Sequence, residues 1–180
     1  GGAAAQVLVS RHPTLVGRMT LTDTVVEDSW PVTPIRMLRG LARAGVYPTL
    51  GALRLLPNPY MWRELRRGFA DPERATRPLV ERVFFDGKVH DDDGRRAFAR
   101  HLRALDHAQT VTAAGSLGRL PFPTQLVWGA GDDFQPWDDV GVRLRDALGT
   151  DDVTVLADAG HYAPAERPDA FARAMLDWQP

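Results

Sequence analysis

The sequence predicts an α/β protein: a parallel sheet with a helical insertion. Three observations predict it. After residue 121 the chain runs strand, helix, strand, helix, the grammar of a parallel sheet. Residues 25–120 carry only interrupted helical signals. Charge divides along a similar line: residues 36–119 hold 16 basic and 9 acidic side chains, a surplus of +7, and the remainder holds 6 and 14, a deficit of −8. Arginine-rich solvated helix faces explain that split, and so does attraction of an anionic substrate or an acidic partner.

The elements follow in order. Gly1 to His12 predicts a helix opening on Gly1, Gly2, Ala3, Ala4 and Ala5 and stopped by Pro13. Side chains this small let a helix lie close to another backbone. Val16 to Thr24 predicts a strand, with Val16, Met19 and Leu21 apolar. Pro34 to Ala44 predicts a helix on the spacing of Ile35, Leu38, Leu41 and Ala42. Pro57 and Pro59 break the next segment. Gly94 to His107 predicts a helix with Phe98, Leu102 and Leu105 on one face and Asp93 as N-cap. Thr124 to Trp128 is a short buried strand entered through Pro121 and Pro123. Asp138 to Leu148 is a helix ended by Gly149, and Val153 to Leu156 is a strand. Pro168 to Trp178 is an amphipathic helix, with Phe171, Ala174, Met175 and Trp178 on its apolar face.

Composition bounds the function. The 180 residues are 44% hydrophobic and 25% charged, enough apolar material for a core and against disorder. A net charge of −1 gives no global electrostatic case for nucleic-acid binding. The absence of cysteine excludes a disulfide scaffold, a thiol nucleophile and cysteine-ligated zinc, and is compatible with the cytoplasm, the expected location. No apolar run reaches the ~20 residues of a membrane helix, and no basic-then-apolar signal opens the chain, so no membrane partner is expected.

Parallel sheets bind ligands at the carboxyl ends of their strands. After Trp128 comes Gly129-Ala130-Gly131-Asp132-Asp133-Phe134, and after Leu156 comes Ala157-Asp158-Ala159-Gly160-His161. Two strand ends therefore carry a carboxylate and an imidazole, the pair that a general base and its orienting acid require.

At these residues the chain resembles the α/β-hydrolase fold superfamily. LPFPTQLVWGAGDDFQP looks like the penultimate strand and acid loop of that family, and VTVLADAGHYAPAERPDAF like its last strand, histidine loop and final helix. Glu166 and Pro168 stand five and seven residues past His161, as is usual there. GGAAAQVLVSRHP resembles the helix after the nucleophile elbow, and VGRMTLTDT the strand that follows. The resemblance covers residues 1–24 and 119–180, and implies a core of residues 1–24 and 121–180 with a helical cap over 25–120. One departure stands out. The family's G-x-S-x-G turn would place the nucleophile two positions before Gly1. The expectation is therefore the C-terminal two-thirds of a hydrolase, with the missing N-terminal segment of the same fold as its partner. Gly1-Gly2 as a cloning scar is the alternative.

The resemblance implies two-step acyl transfer to water, without metal or organic cofactor. The nucleophile, of unknown identity, would attack; His161 would take its proton and later activate water; Asp132 would fix the imidazole tautomer. Asp132 is preferred to Asp133 because it stands four residues past Trp128 and four before Pro136. Ester hydrolysis of a small apolar substrate is the leading expectation. A haloalkane dehalogenase or epoxide hydrolase with an aspartate nucleophile, and a non-catalytic remnant or binding module, are the alternatives. On that reading residues 1–180 alone are inactive.

Other candidates are weaker. Ala114-Gly115-Ser116-Leu117-Gly118 imitates the elbow, but no strand precedes it, and a turn near the cap's exit is expected. His90-Asp91-Asp92-Asp93 hints at a metal site, yet consecutive acids point in different directions and a solvated loop is expected. His12 and His107 look like helix-end residues. Among the apolar side chains, Trp30, Tyr60, Trp62 and Phe134 are the substrate-pocket candidates.

Overall fold

The computed structural model describes residues 1–180. In chain order its elements are α1 (Gly2–Arg11), β1 (Met19–Thr22), α2 (Thr33–Arg43), α3 (Tyr47–Ala52), α4 (Pro59–Arg67), α5 (Arg77–Val80), π-helical turns over Glu81–His90, α6 (Asp92–Ala104), α7 (Ala108–Leu117), β2 (Thr124–Gly129), α8 (Val142–Leu148), β3 (Val153–Leu156), α9 (Ala163–Glu166) and α10 (Pro168–Leu176). The fold is α/β with a parallel sheet, as expected. The chain forms two compact units: Gly1–Trp30, Gly68–Asp71 and Asp106–Pro180 make the first, Pro31–Arg67 and Pro72–Leu105 the second.

In the first unit the three strands stand in the order β1-β2-β3, all parallel, with Leu21 opposite Leu126 and Trp128 opposite Val155. The central strand, TQLVWG, is buried along its whole length, which is why it reads as a continuous run rather than an alternation. Val9, Met19, Leu21, Leu117, Leu126, Trp128 and Leu144 share one hydrophobic core. The Trp128 indole donates to the Gln135 carbonyl at 2.9 Å, so its polar edge is satisfied inside that core. At the start of α1 the close neighbour is a side chain rather than the backbone expected: a Cβ on Gly2 would lie 2.6 Å from Thr24 Cβ.

Several boundaries differ from expectation, each for a local reason. Pro13–Leu15 close a 3₁₀ turn, so β1 starts at Met19 rather than Val16. Asp91, not Asp93, caps α6, accepting from the Gly94 amide at 2.5 Å, and the helix therefore begins two residues early. The helix expected from Asp138 opens with π-helical turns over Trp137–Gly141, where the Pro136 carbonyl accepts from the amides of Val140 at 2.8 Å and Gly141 at 3.3 Å. Ser116 lies within α7 rather than in a turn, its hydroxyl donating to the Ala113 carbonyl at 2.9 Å. Gly149 ends α8 in the left-handed region, φ 64°, as expected.

The second unit is helical. Tyr47 is fully buried and donates to the Lys88 carbonyl at 2.9 Å; burial pushes its hydroxyl up to about 12. Arg95 is buried too, its guanidinium donating to the carbonyls of Val89 and His90 and pairing with Asp92. No helix is long and apolar enough to cross a membrane.

Candidate active site

The loop after β2 places Asp132 and the loop after β3 places His161. Asp132 Oδ1 accepts from the amides of Phe134 at 2.8 Å and Gln135 at 2.9 Å, so the loop's own backbone fixes the carboxylate. That leaves Oδ2 to face His161 Nδ1 at 2.9 Å. The Asp132 side chain is fully buried and the His161 side chain 25% exposed. A buried acid holding a half-open imidazole is what an orienting acid and a general base need. Asp133, one residue on, is exposed.

Aromatic rings frame the imidazole. Phe134 meets His161 edge-on with ring centroids 5.3 Å apart, and Tyr162 does so at 5.2 Å. Tyr162 packs in turn on Phe69 at 4.8 Å. Burial, aided by the Asp132 charge, pushes the Tyr162 hydroxyl above its usual range.

The Trp30 indole donates to Thr110 Oγ1 at 2.8 Å within the first unit. Tyr60 and Trp62 belong to α4 in the second unit. There Trp62 lies in a groove of about 860 Å³ with Arg63, Arg66, Arg67 and Arg77 in its wall. The Arg77 guanidinium sits 5.5 Å from the Trp62 ring centre. Salt bridges to Glu64, Glu73 and Glu81 engage these arginines. His90 and the acids beside it are not one cluster: His90, Glu81 and Asp86 bring their ligand atoms within 4.8 Å, whereas Asp91, Asp92 and Asp93 serve α6 as cap and ion-pair partners.

Two buried carboxylates beside the pair escaped the sequence reading. Asp23, at the end of β1, accepts from the Gly129 amide at 2.7 Å and from Thr22 Oγ1 at 2.8 Å. Burial pushes it up to about 6, the two hydrogen bonds draw it down, the Asp132 charge raises it and His161 lowers it. The strand-end rule that found Asp132 would have found Asp23 as well. Glu166 is fully buried and accepts from the amides of Gly160, Ala70 and Asp71. Its offset from His161 was visible; its partners near residue 70 were not.

Comparison with known proteins identifies the fold as an α/β-hydrolase fold with a parallel sheet. The sequence profile of the alpha/beta hydrolase family matches residues 1–174. A 2-hydroxy-6-oxononadienedioate/2-hydroxy-6-oxononatrienedioate hydrolase from Paraburkholderia xenovorans (strain LB400) is 26% identical over 99% of this chain and 58% of its own length. The enzyme of that name from Escherichia coli (strain K12 / DH10B) is 34% identical, over 99% of this chain and 59% of its own. An alpha/beta hydrolase fold protein from Burkholderia ambifaria superposes with a TM-score of 0.80 at 19% identity, covering 99% of this chain and 63% of that one. The chain thus spans about three-fifths of the length of the proteins it matches.

Proposed function

The chain belongs to the alpha/beta hydrolase family, and from that membership we propose that it supplies the acid and base of a nucleophile–His–Asp hydrolase. The observation that carries the reading is the 2.9 Å contact between His161 Nδ1 and Asp132 Oδ2 at the ends of two adjacent parallel strands. The nucleophile attacks a carbonyl carbon. His161 Nε2 takes its proton, hands it to the leaving group, and then activates the water that releases the acyl product. Asp132 keeps Nδ1 protonated and stabilises the imidazolium. The helical unit, residues 31–67 and 72–105, falls within the 25–120 span expected as the cap, and the Phe134 ring meets the imidazole directly.

Hydrolysis of an ester or related acyl substrate is the reading for the reaction. On substrate charge a second reading gains support over the small apolar molecule expected from the aromatic residues. The relatives are named for dioates, dicarboxylates that also bear a keto group. The groove in the helical unit has four arginines in its wall against the three glutamates that pair with them, an excess of positive charge that favours a negatively charged ligand. The test is His161→Ala in the intact natural protein, assayed on nitrophenyl esters and on keto-dicarboxylates. Loss of turnover by several orders of magnitude on either class, with an unchanged circular dichroism spectrum, is the expected result. Near-normal turnover by the variant on its best substrate would overturn the assignment.

A further inference from the structure

Glu166 is the one fully buried carboxylate near the pair that the mechanism leaves without a task. A buried charge is costly unless it is hydrogen-bonded. Both oxygens of this one accept from backbone amides, one in the loop just before it and the others in a remote segment. Oε1 accepts from Gly160 N at 2.7 Å, and Gly160 immediately precedes His161. Oε2 accepts from Ala70 N at 2.9 Å and from Asp71 N at 3.4 Å. Residues Gly68–Asp71 belong to the first unit although the sequence on both sides of them does not.

The packing around the carboxylate has no slack. A Cβ at Gly160 would lie 2.5 Å from the Gly68 carbonyl oxygen and 2.7 Å from Ala70 N. A Cβ at Gly68 would lie 2.5 Å from Tyr162 Cε2 and 2.8 Å from Phe134 Cε2, atoms of the two rings that flank His161. Phe69 covers Tyr162 from the same segment. The segment is thus laid against the histidine loop backbone to backbone, with the Glu166 carboxylate between them.

We propose that Glu166 is a positioning residue for His161: by bonding the Gly160 amide and the Ala70 and Asp71 amides at once, it fixes the peptide before the imidazole and keeps Nδ1 on Asp132. It does not touch the reacting atoms. A neutral amide cannot replace it, because glutamine offers one acceptor oxygen and presents donors to the remaining N–H groups. Displacement of the base by about 1 Å costs up to ~10²-fold in rate without altering substrate affinity to match.

The inference rests on His161 being the general base, and its test is separable from the test of that role. In the intact natural protein, Glu166→Gln is expected to lower kcat between about tenfold and ~10²-fold with KM within about twofold, and to broaden the downfield proton signal of His161 Nδ1–H. An unchanged kcat and an unchanged Nδ1–H signal would overturn the proposal, whatever happens to Tm, if His161→Ala is inactive. Activity in His161→Ala would instead overturn the hydrolase reading. If Glu166→Gln does not fold, native-state amide exchange of the wild type decides. Gly160, Ala70 and Asp71 held by one carboxylate should open together, with protection equal to within about tenfold; independent opening of Gly160 would defeat the clamp.

Discussion

The Asp23 carboxylate accepts a hydrogen bond from the Gly129 amide at 2.7 Å, tying the end of β1 to the end of β2 where the acid loop begins. Asp23 is 5% exposed and holds a left-handed backbone, φ 41°, which aspartate and asparagine tolerate better than most residues. It is therefore a buried acid, ionised at a cost.

That cost has a defined pH window. Burial raises Asp23 from 3.8 to about 6, so the folded chain binds more protons than the unfolded one between those values. Stability falls as pH rises through that interval, and the penalty is fully present above it. Asp23→Asn keeps an acceptor for Gly129 and a partner for the Thr22 hydroxyl while removing the charge. The variant is expected to be more stable than wild type at pH 8 by on the order of 1–3 kcal/mol, with the gain vanishing towards pH 4. Chemical denaturation across pH checks this, and a difference that does not vary with pH would show that Asp23 is not the titrating group.

Asp132 and Asp133 are neighbours with opposite surroundings, one buried against His161 and one exposed. Asp132→Asn turns an amide toward Nδ1 and favours the wrong tautomer, at a cost of up to ~10⁴ in turnover. Asp133→Asn should change turnover by less than about threefold, in keeping with surface substitutions within ±0.5 kcal/mol. Steady-state rates of the two variants give the ranking, and the reverse order would move the acid by one residue.

Gly68 faces the rings of Tyr162 and Phe134 at distances no side chain fits. Gly68→Ala is expected to cost about 1–3 kcal/mol by overpacking, and to reduce turnover because both rings flank His161. Thermal unfolding together with kcat reads both effects. A fully stable, fully active variant would mean the segment is free to move away.

The arginines beside Trp62 predict a substrate preference that salt weakens. Turnover of a dicarboxylate should exceed that of its dimethyl ester at low ionic strength. The advantage should shrink as the Debye length falls from ~10 Å at 0.1 M to ~3 Å at 1 M. Arg66→Gln and Arg77→Gln should each raise KM for the diacid and leave the diester unchanged. A preference for the diester at every ionic strength would return the substrate to the small apolar class.

The sequence by itself determined the parallel sheet, the helical middle and the meeting of a carboxylate and an imidazole beyond two strand ends. These depend on short-range signals: an unbroken TQLVWG run, a stop at Gly149, and polar residues set at fixed offsets beyond strand ends. It did not determine which of three consecutive aspartates caps α6, because that depends on which side chain reaches the Gly94 amide. Nor did it reveal that Asp23 meets an amide 106 residues away, or that Glu166 joins the nearby Gly160 amide to one 96 residues away. A carboxylate looks the same in sequence whether water or a distant backbone solvates it. Only the tertiary structure decides which, because burial strips the water and leaves the partner that folding brings.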